Sequence, residues 1–223
     1  MSIKEQLLAV LRSRVDERAW ARLSAGAASA ANGGREQLLR AYTAASHDAG
    51  VLPLNAPRGS APDSILLDAW TLADAARAVL LLSRAETSLD REDFVNDATA
   101  CYEEGDAAEQ QSWLRTVGVL PEPRRFLPTV IDACRSSVQP IFEAVACENP
   151  YPAQFFPERN FNQMILKALF NGVSLGRVVG LADRLNPELS RMATDYEAER
   201  RAAGRSIPED IGLVILTPAH RDQ

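Results

Sequence analysis

Five side chains in the C-terminal half of this chain are of types that could act together on a small molecule: Asn149, Tyr151, Asn162, Lys167 and Arg200. Amides and a phenol hydrogen-bond to oxygen or nitrogen. An amine can add to a carbonyl, and a guanidinium holds a carboxylate or phosphate through two parallel bonds. Gathered in one pocket, the set would suit a transferase or isomerase with no tightly held cofactor. Each member also has a plainer reading. Lys167 falls among polar neighbours, and a solvated lysine lacks the desolvation that Schiff-base chemistry needs. Arg200, Arg201 and Arg205 could bind a phosphate or carboxylate, but Glu197 and Glu199 stand close by, which favours a solvated face for Arg201.

Two of these residues stand out by position. On a helical wheel from Phe161, Asn162 shares an arc with Ile165, Leu166 and Leu169, so an amide sits in an apolar face. Burying an unpaired amide is costly. Asn162 is therefore expected to bond to the backbone of a neighbouring loop; the alternative is a ligand contact. Arg200 continues the stripe Leu189, Met192, Ala193, Tyr196 and points to the core side. A guanidinium there needs a carboxylate or several carbonyls. Glu148, at the end of another apolar seam, is a candidate partner.

The elements that must carry these residues are helices. Alanine, leucine, arginine and glutamate are frequent, and strand signals are nearly absent. Ser2 and Glu5 form a capping-box pattern, and Asp16 can cap a second helix that ends near Asn32-Gly33-Gly34. A third runs from Arg35 to about Asp48 and ends at Gly50. Val51–Asp63 contains Pro53, Pro57, Gly59, Ser60 and Pro62 and reads as a linker. Thr71 and Asp74 repeat the capping-box register. The helix they open is apolar on most sides through Leu82 and belongs at a domain centre. Further helices are expected over Asp90–Glu104 and Ala107–Val117. Leu127, Ile131, Cys134, Val138, Ile141 and Val145 form one continuous seam, kinked at Pro140, with Cys134 a small core residue.

The stretch 149–157 is a proline-stiffened loop. Its Tyr151, Phe155 and Phe156 either line a pocket or plug one end of a helical core. Pro157 is placed at the first position of the next helix. Ser174 caps a short helix through about Leu181. Asn186-Pro187 starts the last long helix, which Gly204 ends. Pro208-Glu209-Asp210 opens one more turn, and Gly212–Leu216 is either a short strand or a docked tail.

Several chemistries lack their residues. His47 and His220 are the two histidines, and neither lies near a cysteine at metal-ligand spacing. His47 reads as a surface residue at a helix end. There is no nucleotide-binding glycine fingerprint, no nucleophile elbow and no aspartate-rich magnesium cluster. No metal site and no cofactor is expected. Across 223 residues the formal net charge is −6, which argues against a nucleic-acid partner. Cys101, Cys134 and Cys147 read as reduced thiols. Runs such as Ala78–Leu82 are far too short to span a bilayer, and the N-terminus has no secretory pattern. A cytoplasmic location follows as the expectation.

A longer set of motifs carries a family resemblance. They are Phe142-Glu143-Ala144 with Glu148-Asn149-Pro150-Tyr151-Pro152, Phe156-Pro157-Glu158 with Phe161-Asn162-Gln163-Met164, Leu166-Lys167-Ala168 and Gly180-Leu181. They continue through Asn186-Pro187-Glu188-Leu189 and Glu199-Arg200-Arg201-Ala202-Ala203-Gly204-Arg205. These stretches resemble the EboA family, over roughly residues 120–211. The resemblance implies a bacterial protein of the ebo gene cluster, beside a UbiA-like membrane prenyltransferase, a TatD-like hydrolase, a dehydroquinate-synthase-like protein and a sugar-isomerase-like barrel. It implies secondary metabolism and, in cyanobacteria, export of a pigment precursor. No catalytic residue carries over.

The expected fold is all-α, one compact domain of about eight to ten helices, as a bundle or a short stack of helical hairpins. Within it, residues 1–50 form N-terminal helices, 51–63 the linker, 64–211 the main core and 212–223 a tail. The expected function is that of a non-catalytic accessory protein, a scaffold, adaptor or carrier. Its partners would be other ebo-cluster proteins, the membrane prenyltransferase among them, and a small prenylated or phosphorylated metabolite. The alternative is the cofactor-independent transferase or isomerase built around Asn162 and Arg200.

Overall fold

A computed structural model describes residues 2–56, 67–88 and 90–216. Their regular structure is all-α: eleven α-helices and several short 3₁₀ turns, with one isolated β-bridge between Pro53 and Thr71. Among the described residues no helix is long and apolar enough to cross a membrane. The chain divides into two compact units, Met1–Val145 and Ala146–Gln223.

The N-terminal unit contains α1 (Ile3–Arg14), α2 (Glu17–Asn32), α3 (Gly34–Ala49), α4 (Leu72–Thr87), α5 (Arg91–Glu103), α6 (Ala107–Thr116), α7 (Leu127–Ala133) and most of α8 (Gln139–Ala146). The starts follow local chemistry. Ser2 and Thr71 each accept from the backbone N–H three residues on, and Glu5 and Asp74 return the bond. Asp16 caps α2 through Ala19 N at 2.7 Å, and Gly50, at φ 82°, ends α3 in a conformation that favours glycine.

Helix α4 is the centre of this unit and packs against α1, α2, α3, α5 and α6. Every residue from Leu72 to Ser83 is buried. Its many alanines let neighbouring backbones approach closely. The same helix also buries Asp74 and Arg77, which the apolar reading of the segment passes over. The predicted linker is described only as far as Ala56. Leu54 N donates to Trp70 O at 2.7 Å and Leu72 N to Leu52 O at 2.9 Å, tying the linker start to the α4 entry. Pro57, Gly59, Ser60 and Pro62 lie outside the described residues, as do His220 and the end of the tail.

The seam from Leu127 to Val145 is two helices, not one kinked helix. The helical path stops at Ala133, and Val138, 48 % exposed, is not part of the buried seam. Ser136 Oγ accepts from Val138 N at 3.1 Å, the local bond that competes with helix continuation. Pro140 then falls in the first turn of α8, where its missing N–H costs nothing. Cys134 is buried as expected.

The C-terminal unit contains α9 (Tyr151–Phe155), α10 (Glu158–Asn171) and α11 (Pro187–Ala202), with 3₁₀ turns at Leu175–Arg177, Ala182–Arg184 and Glu209–Leu213. The stretch read as an aromatic loop is therefore largely a short helix, with Pro152 in its first turn. Pro157 is the cap of α10 and Glu158 its first residue, one position later than expected. Ser174 caps a single 3₁₀ turn, Leu175–Arg177, where a helix through Leu181 was expected, and a second turn follows at Ala182–Arg184. Asn186 caps α11 through Leu189 N at 2.9 Å. The terminal segment is a docked tail: Val214 is fully buried, and Leu216 N donates to Ser190 Oγ at 2.8 Å.

Candidate functional site

In the C-terminal unit the polar residues singled out by sequence are held by structural partners. Asn162 is buried, and its amide exchanges two bonds with Asn186: Nδ2 to Asn186 Oδ1 at 3.1 Å, and Asn186 Nδ2 back to Asn162 Oδ1 at 3.0 Å. The partner is a side chain, not the loop backbone that was expected. Asn149 is buried and accepts from Tyr151 N at 3.0 Å. The Tyr151 ring is fully buried against Phe155 and Phe156, at centroid distances of 4.6 and 6.4 Å.

Arg200 is half-buried, lies over the Tyr196 ring, and donates to Tyr196 Oη at 3.2 Å and to the Ser206 carbonyl. It does not pair with Glu148. That carboxylate takes both ends of Arg177, at 2.8 and 3.0 Å, while Glu148 N donates to Arg177 O. Neither Asn162 nor Arg200 bonds to Asn149, Tyr151 or the half-buried Lys167. Arg184 was not singled out, yet it donates to the carbonyls of Ala153 (2.5 Å) and Phe156 (2.9 Å) and covers the Phe161 ring. It satisfies the orphan carbonyls that end α9.

The N-terminal unit holds an open cleft of about 440 Å³. Helix α3 supplies Leu39, Arg40, Tyr42, Thr43 and Ala44; α5 supplies Cys101 and the turn after it Glu104 and Gly105; α6 supplies Glu109. This volume suits a small metabolite. Gly105 is required by close approach, because a Cβ there would stand 2.6 Å from Cys101 O and 2.9 Å from Glu109 Cβ.

Behind the cleft lies a buried polar network. Arg77 donates from Nε to Tyr42 O at 3.1 Å and from Nη1 to Ser112 Oγ at 3.2 Å, and stands 3.8 Å from Glu109 Oε1. Ser112 Oγ donates in turn to Asp74, which also accepts from Arg115 at 3.2 Å. Tyr42 Oη donates to Glu109 O at 3.2 Å, and the Tyr42 ring lies 5.2 Å from the Arg77 guanidinium. Asp74 is held by Ser112 and Arg115, and Glu109 is paired more loosely with Arg77, as buried ions require partners of opposite charge. The sequence signal for it was available: Asp74 and Arg77 interrupt an apolar helix just as Asn162 does.

Burial keeps the potential nucleophiles of the cleft protonated. It pushes the Cys101 thiol up to about 12, with the carboxylates of Asp97, Glu109 and Glu104 adding to the effect. Burial also holds the Tyr42 phenol well above its ordinary range, and Cys101 adds to it. The cleft therefore presents no thiolate at neutral pH. His47 is exposed in the last turn of α3. Among the described residues no cluster of three His, Cys, Asp or Glu side chains could hold a metal ion.

Compared with known proteins, residues 3–215 match the family model described as metabolite traffic protein EboA. No curated protein and no solved structure matches the chain.

Proposed function

This chain belongs to the EboA family, and from that premise we propose that it is a non-catalytic metabolite-handling protein, a carrier that holds a small molecule in the cleft between α3, α5 and α6. One observation carries the choice of a carrier: a metabolite-sized cleft whose cysteine is held as a thiol, its ionisation pushed up to about 12. A site of that kind can seat a ligand without activating it. The buried network behind the cleft fixes Tyr42 and Glu109 in place, so the walls are formed before a ligand arrives.

The finer reading places this carrier in the cytoplasm, in a secondary-metabolite pathway whose products are prenylated or exported. It would pass its ligand to other products of the same gene cluster, a membrane prenyltransferase among them. The family resemblance supports that context. The transferase or isomerase alternative loses ground, because the amide of Asn162 and the guanidinium of Arg200 are spent on internal bonds.

A native mass spectrum of the protein purified gently from its own host tests the reading. A bound small molecule released on denaturation supports the carrier. A bare protein, or one accompanied only by another protein, counts against it.

A further inference from the structure

The Glu109 carboxylate, a wall of the cleft, is incompletely satisfied. Its Oε2 accepts from Asp106 N at 2.8 Å. Its Oε1 has no hydrogen-bond donor among the described residues, and the nearest cationic nitrogen, Arg77 Nη2, stands off at 3.8 Å. The side chain is only 8 % exposed. Arg77 directs its bonds to Tyr42 O and Ser112 Oγ, so it neutralises Glu109 loosely and leaves Oε1 open. Oε1 is not sealed from solvent, so a donor arriving with a ligand can reach it and form a charge-assisted hydrogen bond.

The surroundings fix the sign of that donor. Glu104, exposed at the rim, is a second carboxylate in the cleft. The cation of the rim, Arg40, is held by Glu36 at 2.7 Å. Deeper in, Glu109 and Glu104 add to the burial that keeps the Cys101 thiol protonated, against the opposing charge of Arg35. Leu39, Ala44 and Cys101 offer apolar surface beside it. We propose that the cleft takes an amphipathic metabolite with an amine or other cationic hydrogen-bond-donating head, received by the Glu109 carboxylate, and disfavours phosphorylated or carboxylated ones. This rests on the reading of the cleft as the metabolite site and names the class of ligand for it.

Phenethylamine and 3-phenylpropionate carry opposite charges on the same phenyl-ethyl arm. Titrating each into the full chain by calorimetry at low salt tests the assignment. The amine should bind at least about tenfold more tightly, as one charge-assisted hydrogen bond in a buried site warrants. Glu109→Gln should remove that preference. Glu104→Gln, at an exposed position where folding is not at stake, should reduce it. Equal binding of the two probes, preference for the carboxylate, or no binding of the amine at millimolar concentration overturns the assignment. Ala44→Trp, which fills the cleft from an exposed position on α3, separates this from failure of the carrier reading. If the amine fails while Ala44→Trp still empties host-loaded protein, the ligand class is wrong and the cleft stands. If host loading survives Ala44→Trp, the cleft is not the metabolite site.

Discussion

Asn162 and Asn186 hold each other through two reciprocal amide bonds, at 3.1 and 3.0 Å, and Asn186 uses the same side chain to cap α11. Asn186 Nδ2 also donates to Arg184 O at 3.1 Å, so one amide joins α10, the turn before α11 and the first turn of α11. Removing the partner leaves part of that amide unsatisfied. Asn162→Ala is expected to cost about 1–3 kcal/mol in a denaturant titration, with a bound metabolite still retained. Loss of the metabolite without loss of stability would return Asn162 to the ligand site.

Arg77 is the more expensive residue to lose. It is 4 % exposed, and its bonds hold Tyr42 O and Ser112 while its charge offsets Glu109. Arg77→Met takes from buried Glu109 the cation nearest to it and leaves Tyr42 O and Ser112 Oγ without their donor, and should destabilise the protein by about 3–5 kcal/mol, read from the shift of the denaturation midpoint. A change below about 1 kcal/mol would mean that the network is peripheral to folding.

The difference between those two sites bears on what a sequence reveals. Caps were legible because they are local: Ser2 with Glu5, Thr71 with Asp74, and Asn186 with Leu189 each lie three residues apart. The break after Ala133 was not legible from periodicity, because apolar residues at helical spacing run on through it although Leu127 and Ile131 are only half-buried and Val138 is exposed. The competing signal was Ser136, whose hydroxyl offers the backbone a turn. The cleft was hidden for another reason. Its walls come from residues 39–44, 101–105 and 109, and folding alone brings them together. The weight given to Asn162 and Arg200 came from their intrusion into apolar faces. That logic finds buried polar residues but does not tell a structural bond from a binding one.

Cys101 and Tyr42 give the fold an alkaline weakness. Both ionisations are suppressed in the folded state, the thiol from 9.0 to about 12. A group whose folded pKa is raised contributes stability in full below its unfolded pKa and loses it as pH rises. The denaturant midpoint should therefore hold below pH 9 and fall between about 9 and 12, with Tyr42 adding to the slope above 10. Cys101→Ala should flatten the first part of that fall. Iodoacetamide should leave Cys101 intact in native protein at neutral pH, and rapid labelling there would contradict a buried thiol.

Arg184 closes the end of α9 with bonds to Ala153 O and Phe156 O and covers the Phe161 ring at 4.6 Å. Lysine has neither the planar fork nor the stacking face. Arg184→Lys should cost about 1–3 kcal/mol and accelerate hydrogen exchange at the Gln154 and Phe156 amides, which bond within this turn. Unchanged exchange there would show that α9 stands without the clamp.

The central claim is that the cleft of α3, α5 and α6 holds the metabolite. The most direct measurement compares native mass spectra of three proteins expressed in the source host: the unaltered chain, Ala44→Trp in the cleft, and Phe170→Trp at an exposed site on α10. The account predicts a bound small molecule on the unaltered chain and on Phe170→Trp, and none on Ala44→Trp. The same ligand retained by Ala44→Trp would contradict it.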